Sequence, residues 1–308
     1  MKLKADKVSF GRHETFALRY SWLTKGYQAV TDKNFDFSDA DAATVRLGVG
    51  KNMVSSIRYW LRACQMIQSD GLTPSALGEL ILDEENGFDP YLEDEASLWL
   101  IHWLLSTNAE QATAWFWFFN KFHKPEFTAQ ELQTALSDFL KESIIKGKRP
   151  AANTLKSDSG LIPRMYSLGK QTKATSLEDS LDSPLSLLRL ISASAGTKGY
   201  HSKSELRPGL PIGVIGFAVI QLMQAKGVNA IPVEELLYSR DNYAAPGSTF
   251  RLTEVDLVTK LEQLTAYIKG VFEIRETAGI HQLYKLKDIE ASEFLVEHYK
   301  AELKEVAA

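Results

Sequence analysis

The hydrophobic residues between positions 39 and 67 recur at helical spacing on both sides of a glycine turn. Asp39 can cap a short helix that ends near Leu47, because its carboxylate can accept hydrogen bonds from N–H groups that a first turn leaves unpaired. The glycines of 48–50 permit the positive φ of a tight turn. A second helix is predicted over about 51–67. The pattern therefore predicts a helix-turn-helix.

The second of these helices has two different faces. Its apolar positions follow one stripe that is typical of a buried face, Val54, Ile57, Leu61 and Cys64. The opposite face carries cationic and hydrogen-bonding groups, which we predict to contact DNA: Lys51, Asn52, Ser55, Arg58, Tyr59 and Arg62. A recognition helix needs such a face. The alternative is that this trihelical unit contacts another protein.

The chain on either side of this pair resembles a winged helix with a very short wing. The first helix of the unit is predicted within residues 10–30. Thr73 is predicted to cap a closing helix over 75–82, with Pro74 at the first helical position, where the missing N–H costs nothing. Residues 1–125 are accordingly assigned to an N-terminal winged-helix-like domain.

A second, basic helical unit and a connector are predicted over residues 126–182. Thr128 and Glu131 have the spacing of a capping box at its first helix. The turn and polar helix after Lys146 resemble another helix-turn-helix, with a solvated basic loop as the alternative. The connector begins near Ser167, where the sequence becomes rich in Ser, Thr, Lys and Asp.

A C-terminal α+β winged-helix-like domain is predicted over residues 183–308. It contains a long apolar helix over about 211–226 that Gly227 closes. Residues 253–268 form a further helix, and alternation over 272–284 predicts a two-stranded ribbon. The expected fold class is mainly α with short β-ribbons and multiple winged-helix or helix-turn-helix-like units.

Composition restricts the surface that DNA could use. The formal charge of −4 repels nucleic acid, so binding would depend on local basic surfaces. Residues 1–70 form one such surface. Residues 141–173 form another, with eight bases against Glu142 and Asp158. In this second stretch the predicted DNA contacts are Lys148, Arg149 and Lys156.

A reducing cytoplasm is the predicted location. The sequence has one cysteine, Cys64, which excludes an internal disulfide. The N-terminal residues lack the apolar core of a signal peptide. The longest apolar stretch, 210–220, is shorter than the roughly 20 residues of a membrane-spanning helix.

A polar pair before the first helix supplies candidates for catalysis. His13 could move a proton near neutral pH, and Glu14 could bind a metal ion. Arg12 and Arg19 lie near them in sequence as possible phosphate contacts. The alternative role for the pair is helix capping and salt bridging. The acids between 89 and 94 are a second candidate metal cluster, with capping of the next helix as the alternative.

The sequence lacks the residues that several classes of reaction require. The chain has no GxxxxGK[ST] loop, so no nucleotide cofactor is expected. It lacks the grouped ligands of a zinc site. Its thiol is predicted to be buried, which argues against sulfur transfer by this chain, since buried apolar thiols are poor nucleophiles.

Four short motifs resemble a known family. They are Phe10-Gly-Arg-His-Glu-Thr-Phe16, Trp22-Leu-Thr-Lys-Gly-Tyr27, Leu47-Gly-Val-Gly-Lys-Asn-Met-Val54 and Asp89-Pro-Tyr-Leu-Glu-Asp94. In this order they resemble domain-of-unknown-function family 4007, over the whole chain. Members similar to this sequence include a DNA-nicking component of single-stranded DNA phosphorothioation systems in bacterial antiphage defence.

The resemblance implies a DNA-binding component that nicks one strand so that sulfur can be incorporated. Metal-dependent cleavage would use Mg²⁺ or Mn²⁺. The implied partners are a cysteine desulfurase, a reductase-like ATP pyrophosphatase and an ATPase, besides DNA itself. The alternative is a non-enzymatic winged-helix regulator or a scaffold of a defence complex. The family motifs assign no catalytic residue in this sequence.

Overall fold

The computed structural model describes residues 1–308 except 34, 169–182, 195, 197, 278 and 307–308. Most of the predicted connector thus lies outside the described residues. The described part contains thirteen α-helices. They are α1 (Tyr20–Thr31), α2 (Ala40–Leu47), α3 (Lys51–Ala63), α4 (Ala76–Leu82), α5 (Glu95–Thr107), α6 (Thr113–Asn120), α7 (Ala129–Ser143), α8 (Ala152–Tyr166), α9 (Ile212–Lys226), α10 (Val233–Leu237), α11 (Pro246–Thr249), α12 (Glu254–Tyr267) and α13 (Ala291–Val306).

The described strands form two small antiparallel sheets. The strands are β1 (Glu126–Thr128), β2 (Ser192–Ala193), β3 (Gly199–His201), β4 (Ala230–Pro232), β5 (Phe272–Thr277) and β6 (Ile280–Lys285). The first sheet has the order β1-β3-β2 and the second has the order β4-β6-β5. The prediction of a mainly helical chain with short β-ribbons is confirmed.

Two compact units make up the described chain, and both combine segments that are distant in sequence. The larger unit contains residues 3–117 and 124–203. The smaller unit contains residues 1–2, 118–123 and 204–308. The three domains expected from the sequence remain a prediction.

Aromatic side chains dominate the core of the larger unit. Helix α5 is buried along almost its whole length. Trp60, Trp103 and Trp115 are each at most 1% exposed. Burying one such side chain contributes roughly 1.5 to 3 kcal/mol. His102 is also buried, with its Nδ1 2.8 Å from the hydroxyl oxygen of Tyr166.

The two helices predicted on either side of the glycine turn are present as α2 and α3. Asp39 accepts a hydrogen bond from the N–H of Ala42 at 3.0 Å, as the capping pattern requires. Gly48 ends α2 with φ 67°. Helix α3 ends at Ala63, earlier than predicted, because Gln65 adopts φ 58° and the N–H of the next residue turns back to Leu61.

The helices on either side of this pair begin later than the sequence suggested. Helix α1 begins at Tyr20, and the residues before it are irregular. The prediction that Thr73 caps the closing helix was wrong. Ser75 caps it by accepting from the N–H of Gly78, while the Thr73 hydroxyl donates to Asp70 at 2.6 Å. Between α3 and α4, Ile67 and Pro74 form an isolated antiparallel β-bridge.

The second basic helical region follows its predicted signals in part. The capping box of Thr128 and Glu131 is confirmed at the start of α7. Residues 146–148 form a single 3₁₀ turn, and α8 begins at Ala152.

Within the described residues, no helix is both long and apolar enough to cross a membrane.

In the smaller unit the predicted long apolar helix and the ribbon are both confirmed. Helix α9 ends at Gly227, which has φ 68°, and β5 pairs with β6. Gly216 lets α9 approach α13, since a Cβ there would lie 2.2 Å from Cδ1 of Phe294. Arg251 is buried and donates hydrogen bonds to the carbonyls of Phe118 at 2.9 Å and Phe122 at 3.0 Å.

Candidate functional site

His13 is buried in the larger unit and both of its ring nitrogens have partners. Its Nε2 lies 2.9 Å from Oδ1 of Asp158. Its Nδ1 accepts the N–H of Thr15 at 3.1 Å. Because Nδ1 accepts, the ring proton is on Nε2 and is donated to Asp158. Residues 8–16 are here called the entry loop. The His13 ring fixes this loop to Asp158 through its hydrogen bond, and the ring is not exposed to solvent.

Asp158 anchors the entry loop from α8. Its carboxylate also accepts the N–H of Gly11, at 3.0 and 3.2 Å. Burial raises the pKa of Asp158, and the hydrogen bond from His13 opposes that rise. Loss of either partner would leave a buried polar group unpaired, at a cost of about 3 kcal/mol or more.

The entry loop adopts an unusual backbone around this anchor. Gly11 has φ 70°, and a Cβ there would lie 2.6 Å from Cγ2 of Thr154. Glu14 and Thr15 have φ 50° and 67°, which non-glycine residues rarely adopt. This path buries His13 while leaving Arg12 and Glu14 exposed.

The entry loop and α3 border a cleft of about 660 Å³, here called the arginine cleft. It brings together six of the residues predicted from the sequence. They are Arg12, Glu14, Ser55, Arg58, Tyr59 and Arg62. Tyr59 is largely buried and donates its hydroxyl to the carbonyl of Gln111 at 3.2 Å.

Arg58 and Arg62 are the cationic groups of this cleft on α3. No carboxylate of the described residues lies within ion-pair distance of either guanidinium. The Nε atoms of both are buried without a hydrogen-bond partner in the described part of the chain. Arg58 has a weak contact to the Asp70 carbonyl at 3.4 Å and lies 5.8 Å from the ring centroid of Phe37. Such guanidinium groups suit a phosphate ligand.

The cleft also contains the carboxylates of Glu14 and Glu110. Glu110 lies 3.6 Å from Lys4 and 3.9 Å from Lys7. Among the described residues, no group of three or more His, Cys, Asp or Glu side chains could hold a metal ion. Mg²⁺ sites that act on phosphate esters often use one or two carboxylates with water and substrate oxygens.

Three further predicted contacts do not line the arginine cleft. Lys51 pairs with Asp41 at 2.9 Å, which raises the pKa of Lys51 and lowers that of Asp41. Asn52 is exposed on the first turn of α3. Arg19 precedes α1, with its guanidinium 5.5 Å from the ring centroid of Trp22.

The predicted contacts of residues 146–156, here called the second basic segment, do not line the cleft either. Arg149 donates to the carbonyls of Ile144 at 2.8 Å and Lys141 at 2.6 Å. It therefore caps the C-terminal end of α7, where cations are favoured. Lys148 and Lys156 are exposed.

The acidic run before α5 caps that helix. Asp89 is buried and accepts from the N–H groups of Glu93 at 2.8 Å and Asp94 at 3.0 Å, and from the Ser97 hydroxyl at 2.5 Å. Asp94 accepts from the N–H of Ala96 at 2.8 Å. The capping alternative is thus confirmed.

The sequence offered no signal for two groups that organise the cleft. Asp158 is 145 residues from His13 and was noted only as an acid within a basic stretch. Ser56 donates its hydroxyl to the His13 carbonyl at 3.0 Å. Contacts between segments so far apart leave no local spacing pattern.

Comparisons with known proteins give one family and two similar structures. A family model described as "Protein of unknown function (DUF4007)" matches residues 10–299. The "Magnesium ion-bound SspB crystal structure" is 30% identical with a TM-score of 0.83. The "SspB crystal structure" is 30% identical with a TM-score of 0.81. Each match covers 96% of this chain and 89% of the other. No curated protein matches the chain.

Proposed function

We propose, from the premise that the chain belongs to the DUF4007 family, that it is a DNA-binding component of a DNA phosphorothioation system. In this proposal it nicks one DNA strand so that sulfur can be incorporated, as part of antiphage defence. The similarity to SspB over 96% of the chain supports the choice of system.

The arginine cleft is the observation that carries the DNA-binding part of the proposal. Arg58 and Arg62 lie one turn apart on α3, so both can reach the same stretch of DNA backbone. Neither has a carboxylate within ion-pair distance among the described residues, although Arg58 feels the more distant charges of Asp36 and Asp70. Since the chain carries a net charge of −4, DNA would be attracted by such a local cationic surface rather than by the whole molecule.

The winged-helix interpretation belongs to the same proposal. Helices α2 and α3 with their glycine turn supply the helix-turn-helix, and the bridge between Ile67 and Pro74 stands where the short wing is expected. Helix α3 would then face DNA with the side that lines the arginine cleft.

Mg²⁺ or Mn²⁺ is proposed as the cofactor for nicking. The magnesium bound to the similar SspB structure supports this choice. Glu14 and Glu110 are the carboxylates that the arginine cleft offers to such an ion. A divalent ion there would offset charge on a phosphate.

Sulfur chemistry is assigned to partner proteins. Cys64 is completely buried, and burial raises the pKa of its thiol far above the ordinary value. A thiol in this state supplies almost no thiolate to attack a substrate. A cysteine desulfurase, a reductase-like ATP pyrophosphatase and an ATPase are the partners proposed from the family resemblance.

A second candidate function is a non-enzymatic DNA-binding regulator or scaffold within the same system. The burial of His13 favours it, because that imidazole does not reach the cleft surface.

Relaxation of a supercoiled plasmid separates the two functions. The full chain is incubated with plasmid in Mg²⁺, in Mn²⁺ and in EDTA, and mobility shift is measured in parallel. We expect an open-circular product that depends on the metal, reduced at least tenfold by Glu14→Gln but unchanged by Glu84→Gln on the exposed surface. A mobility shift without open-circular plasmid would refute nicking and support the regulator.

A further inference from the structure

A serine, a histidine and a glutamate lie in a row on the first sheet of the larger unit. Strand β3 lies between β1 and β2, so that His201 is opposite Glu126 on one side and Ser192 on the other. Ser194 follows two residues after Ser192 and therefore points to the same face. Its hydroxyl oxygen lies 2.7 Å from Nε2 of His201. On the far side of the ring, Nδ1 lies 3.4 Å from Oε1 of Glu126.

We propose that Ser194 is a nucleophile that His201 activates and Glu126 orients, and that it attacks a phosphodiester of DNA. The choice of DNA as the substrate rests on the function proposed above. The reactivity of Ser194 does not.

The order of the three groups is the one that nucleophilic catalysis by serine requires. The imidazole must accept the hydroxyl proton through one nitrogen while a carboxylate faces the other, which fixes the tautomer and stabilises the imidazolium. His201 Nδ1 is buried and has no well-oriented hydrogen bond within the described residues. Since Glu126 is mostly exposed, a small rotation of its side chain can shorten the 3.4 Å contact.

Lys203 keeps the orienting carboxylate charged. Its Nζ lies 3.0 Å from Oε1 of Glu126, and this hydrogen bond, together with the charges of Lys203 and His201, lowers the pKa of Glu126. A carboxylate that stays ionised can stabilise the imidazolium formed when His201 takes the serine proton.

The face on which these groups lie suits a long anionic substrate. Phe127 and Tyr200 stack on the other face of the sheet with ring centroids 5.8 Å apart, and Phe127 is buried. Ser194 and His201 are half-buried on the open face, and Lys198 and Lys203 are exposed near them in sequence. An open face with neighbouring cations can receive a polymer that is also bound elsewhere on the unit.

The arginine cleft is then the second point of attachment, where a divalent ion at Glu14 and Glu110 would hold a phosphate of the strand that Ser194 cuts. Strand β1 leads directly into α7, and α8, which packs on α7, carries the Asp158 that anchors the entry loop. The 15 residues of α7 span roughly 22 Å at about 1.5 Å each. Roughly six or seven nucleotides of one strand cover that length at about 3.4 Å per nucleotide.

The proposed step balances without a co-reactant. The Ser194 oxygen forms a bond to phosphorus while one bond from phosphorus to a deoxyribose oxygen breaks. The serine proton passes to Nε2 of His201 and from there to the departing deoxyribose oxygen, which becomes a hydroxyl. The product is a nicked strand with one end joined to the protein as a phosphoserine diester, and water or the freed hydroxyl can release it.

A fluorophosphonate probe tests the nucleophile on the full chain without DNA. We expect labelling at Ser194, complete loss of it in Ser194→Ala, and at least tenfold slower labelling in His201→Asn. Ser192→Ala is the matched control, because Ser192 is directly opposite His201 and its substitution should leave labelling unchanged. Unlabelled parent protein, or labelling that persists in Ser194→Ala, would overturn the proposal.

The DNA substrate is tested with end-labelled DNA on a denaturing protein gel. We expect a labelled band at the size of the chain in the parent and in Ser192→Ala, and none in Ser194→Ala, together with loss of nicking. Nicking that survives in Ser194→Ala would overturn this inference and leave the proposed function intact. Probe labelling without any nicking would overturn the proposed function and the DNA substrate, leaving a reactive serine.

Discussion

The arginine cleft and the second basic segment are both rich in cations, but they use those cations differently. On α3, Arg58 and Arg62 face the cleft with no carboxylate within ion-pair distance among the described residues. In the second basic segment, Arg149 donates to two main-chain carbonyls at the end of α7. A dense run of bases in the sequence therefore does not reveal which charges are available to a ligand.

Helix ends explain part of this difference. The last carbonyls of a helix have no partner within the helix and attract a nearby cation. Arg149 follows α7 closely enough to satisfy two of them. Arg58 lies in the interior of α3, where the carbonyls are already bonded along the helix, so its guanidinium faces the cleft and makes only the weak contact to the Asp70 carbonyl.

The largest expected effect comes from removing both cleft arginines. Arg58→Ala with Arg62→Ala should weaken DNA binding by about 3 kcal/mol or more, since each charge-assisted hydrogen bond contributes roughly 1.5 to 3 kcal/mol. The log-log salt slope should fall by about 0.9 for each lost phosphate contact. Fluorescence anisotropy with labelled duplex at several salt concentrations measures both quantities.

The matched variant for that experiment is Lys148→Ala with Lys156→Ala, which removes two exposed cations from the second basic segment. A smaller loss of affinity, equal for all DNA sequences, is expected if these lysines contact phosphates. Unchanged affinity and slope in the double arginine variant would show that α3 faces a protein instead.

A smaller effect is expected from Arg149→Ala, and on stability rather than on binding. Loss of the two carbonyl contacts should lower the free energy of unfolding by about 1 kcal/mol, because the side chain is partly exposed. Lys148→Ala at the preceding position should change it by less than about 0.5 kcal/mol. Urea unfolding measures both. If Arg149→Ala weakens DNA binding while its stability is unchanged, Arg149 contacts phosphate as the sequence predicted.

The smallest effect concerns the loop that borders Arg58. The Asp70 carboxylate accepts hydrogen bonds from the Thr73 hydroxyl, the Leu72 N–H and the Thr73 N–H, which lower its pKa from 3.8 to about 2. Because the folded pKa is below the unfolded one, this stabilisation is fully present above about pH 4 and is lost as pH falls towards 2.

The difference in unfolding free energy between the parent and Asp70→Asn should thus be constant above pH 5 and shrink below pH 4. Urea unfolding at a series of pH values measures it. Glu84→Gln is the control, since that carboxylate is exposed and no described residue donates a hydrogen bond to it. A difference that is independent of pH between 5 and 3 would contradict this assignment.

Local patterns in the sequence predicted much of the helical fold. The capping box at Thr128, the glycine that ends α9 and the apolar stripe of α3 each depend on residues within a few positions of one another. A helix cap was predicted wrongly where the capping side chain had another hydrogen-bond partner close in sequence. Thr73 could cap a helix, but it bonds Asp70 in a turn instead, and Ser75 takes the cap.

The site could be predicted only in part, because long-range contacts decide its geometry. Helical periodicity correctly grouped Ser55, Arg58, Tyr59 and Arg62 on one side of α3, and these residues line the cleft. Nothing local indicated that Asp158 would bury His13 and leave its neighbours exposed. The row formed by Ser194, His201 and Glu126 depends on pairing of strands that are distant in sequence.

The discontinuous make-up of the smaller unit also affects the order of events on the ribosome. Arg251 donates to the carbonyl of Phe118, which is made 133 residues earlier. At about 5 to 20 residues per second, the segment around Phe118 waits on the order of ten seconds for this partner. During that interval its exposed aromatic residues are available to chaperones. Early arrest of translation would leave them without the arginine that completes their fold.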